Sequence, residues 1–168
     1  MNAFVSAALR AFTDPGEVSP PRPTRLPAPL DGVVSHLQSL ALLAARLYVA
    51  QVFFLSGLTK LRDWSSTLAL FNDIYQVPLL PPVLAAYLGT AGELVLPVLL
   101  VLGLATRFAG AGLFVVNLMA VMSLMADDLT PAAQAQHTLW GVLAVAIALW
   151  GAGRWSVDRW LTIRADRG

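Results

Sequence analysis

Between Val83 and Gly103 the chain runs V-L-A-A-Y-L-G-T-A-G-E-L-V-L-P-V-L-L-V-L-G, with a single charge, Glu93, near its middle. A helix needs ~20 mainly apolar residues to cross a hydrocarbon core ~30 Å thick, so this stretch reads as a membrane span. A carboxyl at that depth costs about 2.5–3.5 kcal/mol on insertion scales and faces protein or a cavity rather than lipid. Gly89 and Gly92 precede Glu93, with Ala85 further upstream. Small residues at such spacing let a second helix come close. The carboxyl therefore requires an intramembrane partner, and the sequence offers Arg46 in an earlier apolar run.

The rest of the chain agrees with a membrane environment. It has 168 residues, 57% hydrophobic and 12% charged, with a mean hydropathy of +0.68. Soluble domains carry roughly 25% charged residues. A net charge of +1 gives no basis for nucleic-acid binding. With no cysteine, disulfides, thiol relays and thiolate metal sites are excluded.

In chain order, Met1 to Phe12 shows no signal-peptide pattern and reads either as a surface-lying helix or as a frayed end. The proline-rich stretch Asp14 to Asp31 is expected to be extended, and residues 1–36 as a whole to form a largely disordered cytoplasmic tail. Four spans follow at approximately 37–58, 83–103, 108–126 and 135–150, making residues 37–153 one membrane domain, with 154–168 a basic tail. Leu61, Trp64, Leu68, Phe71 and Tyr75 recur at helical steps, which predicts an interfacial amphipathic helix between spans one and two. Prolines after Val77 stop it. Leu104 to Arg107 is short enough to make spans two and three an antiparallel hairpin. Asp128 or Thr130 is placed to cap span four. The fold class is all-α, a polytopic four-helix membrane bundle.

Basic residues set the expected orientation. Arg10, Arg22, Arg25, Arg107, Arg154, Arg159, Arg164 and Arg167 fall on one side, Lys60 and Arg62 on the other. The positive-inside rule then places both termini in the cytoplasm. Trp64 and Trp140 at the outer boundary, with Trp150 and Trp155 at the inner one, would form the interfacial belts.

Counted at 1.5 Å per residue, Arg46 lies roughly 13 Å in from Leu37 and Glu93 roughly 15 Å in from Val83. Both heads come near the midplane and are expected to pair. Such a pair either lines a polar pocket for an amphiphilic head group or a proton, or locks two helices in register. Asn117 reaches similar depth, and with Gln51 suits hydrogen bonding across helices. Tyr48 and Tyr87 offer phenols for a carbonyl ligand or for packing. His36 and His137 fall at opposite ends of their spans, ~30 Å apart, so no single metal bridges them, and no metal site is expected. His137 reads as an interfacial residue.

These motifs resemble the DoxX family of small bacterial four-helix membrane proteins. The resemblance rests on Arg46 with F-L-S-G-L-T-K (Phe54 to Lys60), Val77-Pro78 leading to G-T-A-G-E (Gly89 to Glu93), V-L-G-L-A-T-R-F-A (Val101 to Ala109) and G-A-G-R-W-S-V-D (Gly151 to Asp158). It implies a four-helix bundle in the bacterial inner (cytoplasmic) membrane and an association with membrane redox work, such as thiosulfate:quinone oxidoreduction or oxidative-stress complexes with soluble partners. It also marks Arg46, Lys60, Glu93 and Arg107, with Lys60 and Arg107 at the membrane edges. The amino-terminal proline-rich extension has no counterpart in the family core.

The expectation is an inner-membrane subunit of, or accessory to, a quinone-linked redox system. Its polar pocket would be lined by Arg46, Glu93, Asn117, Tyr48 and Gln51. Besides the lipid bilayer, it would have a protein partner or a second copy of itself. No cofactor is expected to be bound covalently, and a quinone is the small molecule the reading allows. The alternatives are a non-enzymatic scaffold recruiting a soluble partner and a small oligomeric transporter.

Overall fold

The computed structural model describes residues 28–75, 77, 79–123 and 130–165, and among them there is no strand. Met1 to Phe12, most of the proline-rich stretch and the Asp127–Asp128 loop lie outside the described residues. The helices are α1 (Ala28–Arg62), α2 (Trp64–Asp73), α3 (Pro82–Leu102), α4 (Thr106–Ser123), α5 (Pro131–Trp150) and α6 (Val157–Ala165). Four of them, α1, α3, α4 and α5, are long and apolar enough to cross a membrane.

Helix α1 begins at Ala28, ahead of the expected Leu37, and takes in Pro29. Proline in a first turn has no intrahelical donor to lose, so it does not forbid the helix there. The expectation of extended chain as far as Asp31 is corrected at this point. At 35 residues α1 is about 52 Å long, well beyond a ~30 Å hydrocarbon slab.

Cap chemistry sets several other boundaries. Asp63 accepts from Ser66 N at 3.0 Å and starts α2. Ser65 and Ser66 hydroxyls also donate to its carboxylate, and these bonds lower its pKa to about 2. Thr130 caps α5 through Ala133 N at 3.2 Å, with Pro131 in the first turn. Gly103, at φ +67°, closes α3 in the left-handed conformation, so α4 starts almost at once and runs antiparallel.

The spanning helices close into a ring: α1 packs on α3 and α5, α3 on α4, and α4 on α5. The shared core is Val49, Ala50, Phe53, Leu100, Ala109, Leu113 and Ile147, with Trp140 and Leu143 against it. Trp140 packs edge-on to Phe53 at 6.1 Å. A second cluster joins α2 to the first half of α3, with Phe71 on Ala85 and Ala86 and Trp64 and Leu68 around them. Most remaining large apolar side chains on the spans point outward, as lipid-facing surface requires.

Candidate functional site

Glu93 is 7% exposed, and its partner is Lys60. The ammonium donates to Oε1 at 2.8 Å, to Oε2 at 2.6 Å and to Ser56 Oγ at 3.0 Å. Lys60 lies one turn beyond Ser56 on α1 and turns its flexible stem back into the bundle to reach the carboxylate. Gly57 makes this possible. A Cβ there would lie 2.9 Å from Leu94 and 3.1 Å from the Glu93 Cβ, so the missing side chain brings α1 directly onto α3 beside the carboxyl.

The pair sits beneath α2. Beyond Gly57, α1 continues to Arg62 for about 8 Å, whereas α3 reaches back from Glu93 to Pro82 for roughly 16 Å. Helix α2 packs against the part of α3 that α1 leaves uncovered. Trp64 meets Tyr87 at 4.7 Å between ring centroids, and the Phe71 ring edge lies against Gly89. Thr67, itself buried, donates to the Lys60 carbonyl at 2.9 Å and ties α2 to the residue it covers. Tyr75, after α2, is half-buried and within the electrostatic reach of Glu93. Burial, and then that negative charge, push its phenol above the ordinary tyrosine value, so it stays a neutral O–H donor at neutral pH.

Two further polar groups on α3 stand beside the carboxyl. Thr90, one turn before Glu93 and 3% exposed, has a buried hydroxyl with no hydrogen-bond partner. Pro97 lies inside α3 and has no N–H to give the Glu93 carbonyl four residues earlier. The cluster thus combines a cation, a carboxylate, an unpaired hydroxyl and a backbone carbonyl freed from the helix ladder.

Arg46 is not part of this cluster, and the expected Arg46–Glu93 pair is corrected. Its side chain is fully buried at the α6 end of the bundle. Nε donates to Leu100 O at 2.9 Å, Nη1 to Ala152 O at 2.7 Å and Trp155 O at 3.1 Å, and Nη2 to Val101 O at 3.3 Å. The carbonyls of Leu100 and Val101 close α3, where the helix dipole is negative and a cation is favoured. The depth count failed because α1 overruns the bilayer, so distance from an assumed start at Leu37 does not give depth. Asp158 supplies negative charge nearby and caps the opposite kind of helix end. Its carboxylate accepts from Ala105 N at 2.7 Å and Thr106 N at 3.0 Å at the start of α4.

The remaining expected pocket residues are dispersed, which corrects the single pocket read from the sequence. Asn117 on α4 is buried and holds His137 on α5: its amide donates to the His137 carbonyl at 2.9 Å, and its oxygen lies 2.8 Å from Nδ1. His137 is thus a bonded inter-helix residue. Tyr48 accepts from Trp140 Nε1 at 3.3 Å and is 43% exposed. Gln51 is exposed on the outer face of α1. Arg107 is half-buried beside Gly151 at the α6 end. Among the described residues no group of three or more acidic or histidine side chains is assembled for a metal.

Sequence reasoning named Lys60 but left it at the membrane edge, and it passed over Ser56 and Asp158. The signal for Lys60 was available: F-L-S-G-L-T-K puts Ser56 and Lys60 on one helix face flanking a small residue. For Asp158 the signal was an acid set between Trp155 and the Arg159–Trp160 pair shortly after the last span.

The family model described as DoxX matches residues 41–126, which take in Arg46, Lys60, Glu93, Arg107 and Asn117. No curated protein and no solved structure matches the chain.

Proposed function

The chain belongs to the DoxX family, and on this footing we propose that it is a bacterial inner-membrane subunit accessory to a quinone-linked redox system, with both termini in the cytoplasm. The site is the Lys60–Glu93 cluster under α2. One observation carries this reading: a charged, hydrogen-bonded pair within a membrane bundle has an unpaired buried hydroxyl, Thr90, beside it. Buried polar atoms are normally satisfied, so an orphan at a charged site favours a visiting polar group.

The donor set suits a quinone head. Lys60 and Tyr75 would donate to its carbonyl oxygens, and Glu93 would hold or release a proton at its carboxylate. A quinone, when bound, carries two electrons and two protons in the lipid phase. The chain's own residues bind, orient and exchange protons, while α2 keeps bulk water away. With no cysteine and no metal-ligand cluster among the described residues, the redox centre is assigned to a partner protein. The basic surface around Arg107, Arg154 and Arg159 supports a cytoplasmic placement of that end.

Native mass spectrometry of gently extracted protein tests this. A quinone should co-purify with the unaltered chain and be lost in Glu93→Gln and Lys60→Met. Equal retention in both variants overturns the site. A stable protein partner with no small molecule would favour the scaffold reading, with Lys60–Glu93 serving to hold α1 against α3.

A further inference from the structure

At the α6 end, the first turns of α1 stand clear of the ring and form a groove of about 480 Å³ with the segment after α5. Its walls are apolar: Val33, Leu37 and Leu40 from α1, each more than half exposed, and Trp155 opposite them, 53% exposed. At its rim the Arg154 guanidinium meets the His36 ring, Nη1 lying 3.3 Å from Nε2. No carboxylate bonds either of them among the described side chains. At this distance the guanidinium donates to the imidazole nitrogen, and its remaining N–H groups and fixed charge are free to meet an anion.

The surroundings give the anion's chemistry. Gly153, just past α5, lies against Ser39 of α1, and Gly151 lies against Arg107, so the groove stands at the end of the bundle where α5 finishes. Helix α6 extends the same boundary, with Trp160 and Leu161 exposed, Arg159 beside them and Arg164 stacked 4.2 Å over the Trp160 ring. A free anion gains nothing from the apolar walls, whereas a phospholipid uses both parts. We propose that this groove is a binding site for an anionic phospholipid of the leaflet on the α6 side. The phosphate would sit between Arg154 and His36, and an acyl chain would lie along Val33, Leu37, Leu40 and Trp155. Arg159 and Arg164 extend the attraction along the same surface.

The test is native mass spectrometry of the full chain in detergent, titrated separately with dioleoyl phosphatidylglycerol, dioleoyl phosphatidylcholine and inorganic phosphate. Phosphatidylglycerol should bind about ten-fold tighter than phosphatidylcholine, and phosphate should not displace it. Arg154→Gln should weaken it about five-fold and Arg154→Gln with His36→Gln about 25-fold, while Arg154→Lys stays near the original. Both side chains are exposed, so these variants leave the bundle core untouched. A photoactivatable phosphatidylglycerol should label peptides within residues 33–40 or 154–155 of the unaltered chain. Equal binding of the two lipids, an unaffected double variant, displacement by phosphate, or labelling elsewhere would each overturn the proposal.

Discussion

Lys60 joins α1 to α3 through Glu93, its ammonium 2.6 Å from one carboxylate oxygen and 2.8 Å from the other. The contact exists because Gly57, three residues before Lys60, lets the α1 backbone meet α3 at Glu93 and Leu94. It carries consequences for stability that separate it from the role of Arg46.

In a double-mutant cycle, Lys60→Met and Glu93→Gln should couple by more than ~0.5 kcal/mol, because they share one contact. Arg46→Met and Glu93→Gln should add to within ~0.5 kcal/mol, having no partner in common. Lys60→Met alone should cost about 2 kcal/mol, below the usual 3–5 for breaking a buried pair, since the lysine side chain is 20% exposed. Unfolding of the detergent-solubilised variants measures all of these. Coupling between Arg46 and Glu93 would contradict their separate placement, Arg46 on the Leu100 carbonyl and Glu93 on Lys60.

Arg46→Lys should behave as a disruptive change. The planar fork reaches four carbonyls in three directions from Nε, Nη1 and Nη2, which a single ammonium cannot match. With buried carbonyls left unpaired, the loss should be roughly 3 kcal/mol, and Asp158→Ala at the neighbouring helix start should lose about 1–2 kcal/mol. Early proteolytic release of α6 is the local readout, because Arg46 holds the chain between α5 and α6 and Asp158 ties α6 to the start of α4.

Gly103→Ala should destabilise the same region. At φ +67° an alanine already costs ~1–2 kcal/mol, and its Cβ would lie 2.6 Å from Arg46 Nη2 and 2.9 Å from the Ser156 backbone. Gly32→Ala provides the contrast. Nothing lies within 4 Å of its Cβ, and in a helix the change should stabilise by roughly 0.5–1 kcal/mol. Thermal unfolding of the two variants should move in opposite directions.

The start of α2 should be acid-sensitive. Asp63 is held at about 2 by its hydrogen bonds to Ser66 and Ser65. A carboxyl depressed on folding stabilises fully above its unfolded value near ~4, and that contribution fades as pH falls toward 2. Hydrogen exchange at the Ser66 amide should accelerate relative to its intrinsic rate across that window. Asp63→Asn keeps an acceptor at the cap and should remove the pH dependence.

How much of this was readable in one dimension depends on the range of the interaction involved. Glu93 was identifiable as a buried group in need of a partner, since apolar flanks and small neighbours are local features. The partner was not identifiable, because the choice between Arg46 and Lys60 depends on how far α1 slides along α3. The overrun of α1 past the bilayer and the close approach at Gly57 set that offset, and neither is visible in a count of residues. Asn117 and His137 show the same limit: each was recognisable as polar within an apolar span, but their bond depends on which faces α4 and α5 turn to each other.

The sequence by itself determined that the chain is an all-helical, multi-pass membrane protein with an amphipathic helix after its first span. Hydropathy, helical periodicity and proline placement act over a few turns, and a bilayer allows few ways to satisfy the backbone. Only the tertiary structure decided which cation meets which carboxylate, that Arg46 serves the carbonyl ends of helices, and that Asp158 returns from the last helix to cap α4. Those outcomes depend on side chains reaching about 5–7 Å from elements distant in sequence, so helix offset and rotation, and not residue type, select them.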